Sequence, residues 1–283
     1  MHSRFLKRAG EPDLHYVVDD YTDPWRNAPY LILQHGSGRS SGIWRSWVPY
    51  LSRYYKVVRP DARGLGLSSA AFDLERDLTL SACVGDIAAI IDALGADSAH
   101  FCGESFGGIL GMALAATHPR RVRTLTLVAS PVRINPDVKT TYAAGHASRA
   151  EAVKEMGMKA WLENTNRSTR FPPDADPGLI AWYNEEYLRN RPEVQLAVAR
   201  MVGEADAASY LPRIEAPVLG LYPTAGPITN EEQERTLAAG IRNLRMVHLP
   251  TSFHKVQLLF PAACTSHLLD FISQHDGSIC REN

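Results

Sequence analysis

Short apolar, β-branched runs alternate with stretches of helical spacing along most of the chain. Leu14–Asp19, Tyr30–Gln34, Tyr55–Arg59, Ala99–Cys102, Val122–Ala129, Val218–Tyr222 and Leu244–Leu249 read as strands. The clearest of them, such as YLILQ, are apolar at every position, as strands buried on both faces of a parallel sheet are. Between them, Ser81–Leu94 has amphipathic helical spacing and stops at Gly95, a residue suited to a helix C-terminus. Phe106–Thr117 reads as a second helix, rich in Ala and Gly and halted by Pro119. Its small residues let it lie close against a sheet. This alternation predicts stacked βα units, hence an α/β protein.

The rhythm breaks between Pro131 and Leu211. That interval carries no strand signal, is compatible with helix throughout, and holds Tyr142, Trp161, Phe171, Trp182, Tyr183, Tyr187 and Tyr210. It is expected to be a helical insertion, a lid or cap over residues 131–211, with 1–130 and 212–283 forming one core domain. The simplest role for any one of these aromatics is packing the insertion onto the core. Phe171–Gly178 (FPPDADPG) has the Pro, Asp and Gly content of a loop inside it.

At 283 residues the chain can bury a core without disulfides or metals, and a net charge of −1 removes the electrostatic reason to expect nucleic acid. No apolar run approaches the roughly 20 residues that a bilayer helix needs, so no membrane partner is expected. The basic start MHSRFLKRAG runs into EPDLHYVVDD rather than an apolar leader, which favours the cytoplasm. Cys83, Cys102, Cys264 and Cys280 lack C-x-x-C spacing, and there is no H-E-x-x-H, so neither metal nor cofactor is called for. The pattern leaves open whether the chain is a monomer or a homo-oligomer.

The sharpest local signal is Gly103-Glu104-Ser105-Phe106-Gly107, followed by Gly108. It is a G-x-S-x-G set between the strand AHFC and the helix FGGILGMALAA. A strand turning abruptly into a helix strains its corner residue, and flanking glycines remove the Cβ clashes. The serine hydroxyl then projects at a helix N-terminus, where backbone N–H groups favour a developing oxyanion.

With these residues the sequence resembles the α/β-hydrolase fold family over nearly its whole length. His35-Gly36 after YLILQ is similar to the family's oxyanion-loop motif, and Asp61-Ala62-Arg63-Gly64-Leu65-Gly66-Leu67-Ser68 to its D-x-R-G-x-G-x-S turn. The resemblance implies a mostly parallel eight-stranded sheet flanked by helices, with the site under a helical cap. It also implies roles: Ser105 as nucleophile, the N–H groups of Ser37 and Phe106 as oxyanion hole, and the late His254 as base. His35 is expected to tie its loop, and His248 to sit in or at the edge of a strand.

One position departs from the family. Where relatives carry the acid that steadies the histidine, this chain has Gly226, and the other common slot reads Val128-Ala129-Ser130-Pro131. The acid could come from Asp137, Glu204, Asp206, Glu231 or Glu232. Alternatively Ser105 and His254 act as a dyad oriented by Ser130, Thr224 or a carbonyl, or the chain has left hydrolysis behind. Glu104, inside the elbow, is expected to point aside and bond the scaffold. Arg39 could bind a substrate carboxylate, although a solvated loop arginine is the commoner case. The leading expectation is a cofactor-independent serine hydrolase of a small ester, lactone or related acyl compound. The alternatives are a cofactor-free lyase, decarboxylase, oxygenase or carbon–carbon bond hydrolase, or a binding protein.

Overall fold

The computed structural model describes residues 2–277. Its centre is one eight-stranded sheet in the order β1-β2-β4-β3-β5-β6-β7-β8. The strands are β1 (His2–Leu6), β2 (Leu14–Asp19), β3 (Tyr30–Gln34), β4 (Lys56–Pro60), β5 (Ala99–Glu104), β6 (Val122–Val128), β7 (Val218–Pro223) and β8 (Leu244–Leu249). β1 and β2 pair antiparallel, as do β2 and β4. All remaining pairs are parallel. The strand absent from the hydrophobic pattern is β1. Its residues are almost all exposed, so it lacks the apolar signature that revealed the others.

Alternation along the strands divides the core into two layers. Ile32, Val58, Phe101 and Leu125 face a cluster supplied by α2 (Leu80–Ala93) and α3 (Phe106–Thr117). Leu31, Leu33, Val57 and Cys102 face the opposite layer, built on Trp44, Trp47, the short α1 (Val48–Leu51) and the C-terminal α11 (Pro261–Asp276). Burial on both faces is why these strands read as continuous apolar runs.

Between β6 and β7 lie α4 (Pro136–Ala143), α5 (Arg149–Met156), α6 (Met158–Thr165), a π-helical turn at Asn166–Arg170, α7 (Pro177–Leu188) and α8 (Pro192–Glu204). Asn135, Ser148 and Asp176 cap α4, α5 and α7 by accepting from backbone N–H groups. The segment leaves and rejoins the core at one place. Arg133 and Asp206 form a bridge there, and the Ala207 N–H donates to the Val132 carbonyl at 2.9 Å. Past β7 come α9 (Glu231–Gly240), β8, α10 (Val256–Leu259) and α11 (Pro261–Asp276). Among the described residues no helix is long and apolar enough to cross a membrane. Cys83, Cys102 and Cys264 are buried free thiols; Cys280 lies outside the described residues.

Candidate active site

Ser105 stands at the corner between β5 and α3 with φ 53° and ψ −117°. This region is costly for a residue with a Cβ, roughly 1–3 kcal/mol, and persists only where neighbours enforce it. Close backbone approach does so here. A Cβ on Gly103 would meet the Gly107 carbonyl oxygen at 2.2 Å, and one on Gly107 would meet the Gln34 carbonyl oxygen at 2.4 Å. Glycines at these positions let β3, β5 and α3 crowd together and push Ser105 outward.

The loop after β3 faces this corner. The His35 Nε2 accepts the Ala62 N–H at 3.0 Å, so Nδ1 carries the proton and donates to the Gly36 carbonyl at 2.8 Å. Burial also holds the His35 pKa below its ordinary value. This histidine ties the loop to the turn after β4. Asp61 anchors that turn by accepting the N–H groups of Ser41 and Leu67 and bonding His15 Nδ1 at 2.7 Å. Arg63 locks it to α2 through both oxygens of Asp86, each at 2.7 Å. Neither the Ser37 nor the Phe106 N–H has an acceptor among the described residues. The Phe106 side chain is buried in the core, so only its amide is offered to the site.

His254 follows β8 in a loop held by the π-helical turn: its N–H donates to the Thr169 carbonyl at 3.0 Å. Its ring is buried, Nδ1 has no hydrogen-bond partner, and Nε2 lies 3.7 Å from Glu104 Oε1. Burial first, then the cations of Lys255 and Arg170, hold the imidazole well below its ordinary pKa. No hydrogen bond joins Ser105 to His254.

None of the carboxylates considered from the sequence touches His254. Asp137, Glu204, Asp206, Glu231 and Glu232 are all exposed, and the last three are engaged by arginines. Nor do the alternative hydroxyls reach it. Ser130 Oγ donates to the Gly103 carbonyl at 3.2 Å and Thr224 Oγ1 to the Leu249 carbonyl at 2.8 Å. Position 226 does face the histidine loop, since a Cβ there would lie 3.1 Å from the Ser252 carbonyl oxygen. His254 Nδ1, without a hydrogen-bond partner, has no carboxylate at position 226 to accept from it.

The carboxylate beside His254 is Glu104. It is completely buried, accepts the Gly36 N–H at 3.0 Å through Oε2, and binds the Lys255 ammonium through Oε1. Glu104 therefore bonds the scaffold, as expected, off the cavity wall, and in doing so comes within 3.7 Å of His254. Arg39 departs from the solvated loop arginine expected. It is 2% exposed and stacked 3.5 Å from the Tyr183 ring centroid, because α7 covers the loop that carries it. His248 sits on β8 with its ring partly exposed, bonded to Glu234 at 2.9 Å.

Ser37, Ser105, His254 and Lys255 share the wall of a cavity of about 690 Å³. Residues of α4, α5, α7, α8 and the π-helical turn close its other side. Among the described residues no cluster of His, Cys, Asp and Glu is arranged to hold a metal ion.

Comparison with known proteins agrees with this architecture. Residues 29–261 match the model of the α/β-hydrolase fold. A 3-oxoadipate enol-lactonase of Acinetobacter baylyi is 30% identical over 207 residues, spanning 72% of this chain and 73% of the relative. The crystal structure of the enol-lactonase from Burkholderia xenovorans LB400 superposes with a TM-score of 0.83 at 28% identity, covering 95% of this chain and all of that one. A strigolactone esterase of Pisum sativum is 26% identical over 193 residues, 66% of this chain and 71% of the relative. The chain belongs to the α/β-hydrolase fold family. Within it, the protein is a hydrolase acting on small molecules.

Proposed function

We propose that this hydrolase cleaves a small organic ester or lactone through an acyl-enzyme on Ser105, with His254 as the base and no cofactor. The observation that carries this reading is the strained corner. It projects Ser105 into the cavity that His254 and Ser37 also line, beside two N–H groups with no acceptor. Ser105 Oγ attacks the acyl carbon while its proton passes to His254. The oxyanion so formed is held by the Ser37 and Phe106 N–H groups, each of them worth about 2.7–4 kcal/mol of barrier lowering. The imidazolium then returns its proton to the leaving oxygen, and water repeats the sequence on the acyl-enzyme.

Glu104, 3.7 Å from the ring, stabilises the imidazolium by charge alone in place of an acid hydrogen-bonded to Nδ1. Residues 131–211 act as a cap that shields the reaction from bulk water, consistent with their common entry and exit beside Val132 and Ala207. The buried free thiols suit a reducing, cytoplasmic compartment. Lactone and ester cleavage are the activities in the names of the relatives above. Hydrolysis of a short-chain p-nitrophenyl ester panel by wild type and Ser105→Ala tests the proposal. Turnover by the wild type that is lost in the variant supports it, and equal turnover by both rejects it.

A further inference from the structure

The cavity wall carries more positive charge than the protein neutralises. Lys255 is matched by Glu104, but Arg39, Arg149 and Arg170 have no carboxylate within ion-pair distance among the described residues. The one carboxylate on the wall, Glu204, is exposed. Arg39 and Arg170 are 2% and 7% exposed. Unpaired buried charge is destabilising, so such groups are ordinarily paired or bound to something.

The three guanidiniums are instead held by neutral groups. Arg39 donates to the Tyr183 carbonyl at 3.0 Å and lies 4.6 Å from the Tyr187 ring centroid, while its Nε has no partner. Arg170, presented by the π-helical turn, bonds Thr165 Oγ1 at 2.7 Å and faces the Tyr142 ring at 5.2 Å. Arg149 lies 4.2 Å from the Trp161 ring centroid and bonds the Tyr187 hydroxyl, again with a partnerless buried Nε. Aromatic faces attract a cation without neutralising it. Burial, and Arg170 as a like charge nearby, hold the Arg39 pKa below its ordinary value.

We infer that Arg39, Arg149 and Arg170 form a binding site for a carboxylate of the substrate, so that the ester or lactone cleaved here is a half-ester or lactone of an organic diacid. Planar guanidinium forks match a carboxylate, and Ile134, Val202 and Ile228 on the same wall suit a short carbon chain between it and the acyl group. This inference rests on the hydrolase reading for its substrate but not for its anion site.

Two measurements separate the readings. In the first, kcat/KM is compared for mono-4-nitrophenyl glutarate and for its neutral methyl ester. The free acid should be preferred by about 10–100-fold, and Arg149→Gln and Arg170→Gln should each cut that preference about tenfold. Arg149 is only partly buried and so gives a variant that folds even if Arg170→Gln does not. In the second, glutarate binding to Ser105→Ala is followed by calorimetry. Binding that weakens at least tenfold in the added Arg149→Gln variant supports the site, even if Ser105 proves not to be the nucleophile. Equal or better hydrolysis of the neutral ester, or no glutarate binding by Ser105→Ala at millimolar concentration, overturns the inference.

Discussion

Replacing Glu104 with Gln keeps the shape of the side chain and leaves an oxygen for the Gly36 N–H, but it removes a buried negative charge. With Oε1 3.7 Å from His254 Nε2, the attraction to an imidazolium is about 4.5 kcal/mol at an effective dielectric constant of about 20. Lys255 on the same oxygen opposes it, so roughly half survives. Glu104→Gln removes the whole attraction and leaves Lys255 unopposed, so its kcat should fall about 10³-fold, while loss of both charges removes only the remainder and should cost about 10–100-fold. The substitution also strands the Lys255 ammonium, and breaking a buried pair costs about 3–5 kcal/mol of stability. A double variant, Glu104→Gln with Lys255→Met, separates the two effects. With both charges gone, stability should return most of the way to wild type, since neutral replacement of a buried pair is often harmless. The kcat of the double variant should remain below wild type, because the imidazolium still lacks its carboxylate. Urea unfolding and steady-state ester hydrolysis on the three proteins measure both quantities. Wild-type kcat in folded Glu104→Gln would refute the electrostatic link between Glu104 and His254.

Position 226 gives a second prediction. Gly226→Asp places a carboxyl group beside the His254 loop, and because triad acids are worth up to about 10⁴ in kcat elsewhere, even an imperfect fit should raise kcat about tenfold. Unchanged or reduced kcat in a folded variant would show that this position does not serve Nδ1. For pH, the charges facing the imidazole are Glu104, Arg170 and Lys255, and its native pKa lies well below 6.5. As only the neutral ring accepts the proton, the acid limb of kcat/KM should fall below pH 6.5. The unfolded chain takes up this proton first, so stability should decline as pH drops from 6.5 toward the native pKa. Gly107→Ala should destabilise the fold by about 1–3 kcal/mol or prevent it, because its Cβ meets the Gln34 carbonyl. Burial raises the Cys83 and Cys264 thiols to about 12 and Cys102 well above the usual thiol range, so a maleimide should modify these three only after unfolding.

The central strands and the elbow were legible in the sequence because their physics is local. YLILQ is buried on both faces, and Gly103 and Gly107 are required by backbone contacts that leave no room for a Cβ. β1 was not legible, since an exposed edge strand has no apolar alternation. That Glu104 bonds the scaffold is legible from its place in the elbow, but its approach to His254 is not. Its orientation depends on Gly36 and Lys255, 68 and 151 residues away, and no sequence period encodes that meeting. Arg39 was hidden for the same reason: loop arginines are ordinarily solvated, and only the return of α7 over the loop buries it beneath Tyr183.

The most direct test of acyl transfer is rapid-quench mass spectrometry of the wild type mixed with excess p-nitrophenyl acetate. Reaction through Ser105 requires an acetyl adduct on the peptide containing Ser105, formed with the nitrophenolate burst and absent from Ser105→Ala. Multiple turnover with no adduct on that peptide, and with full activity in Ser105→Ala, would contradict it.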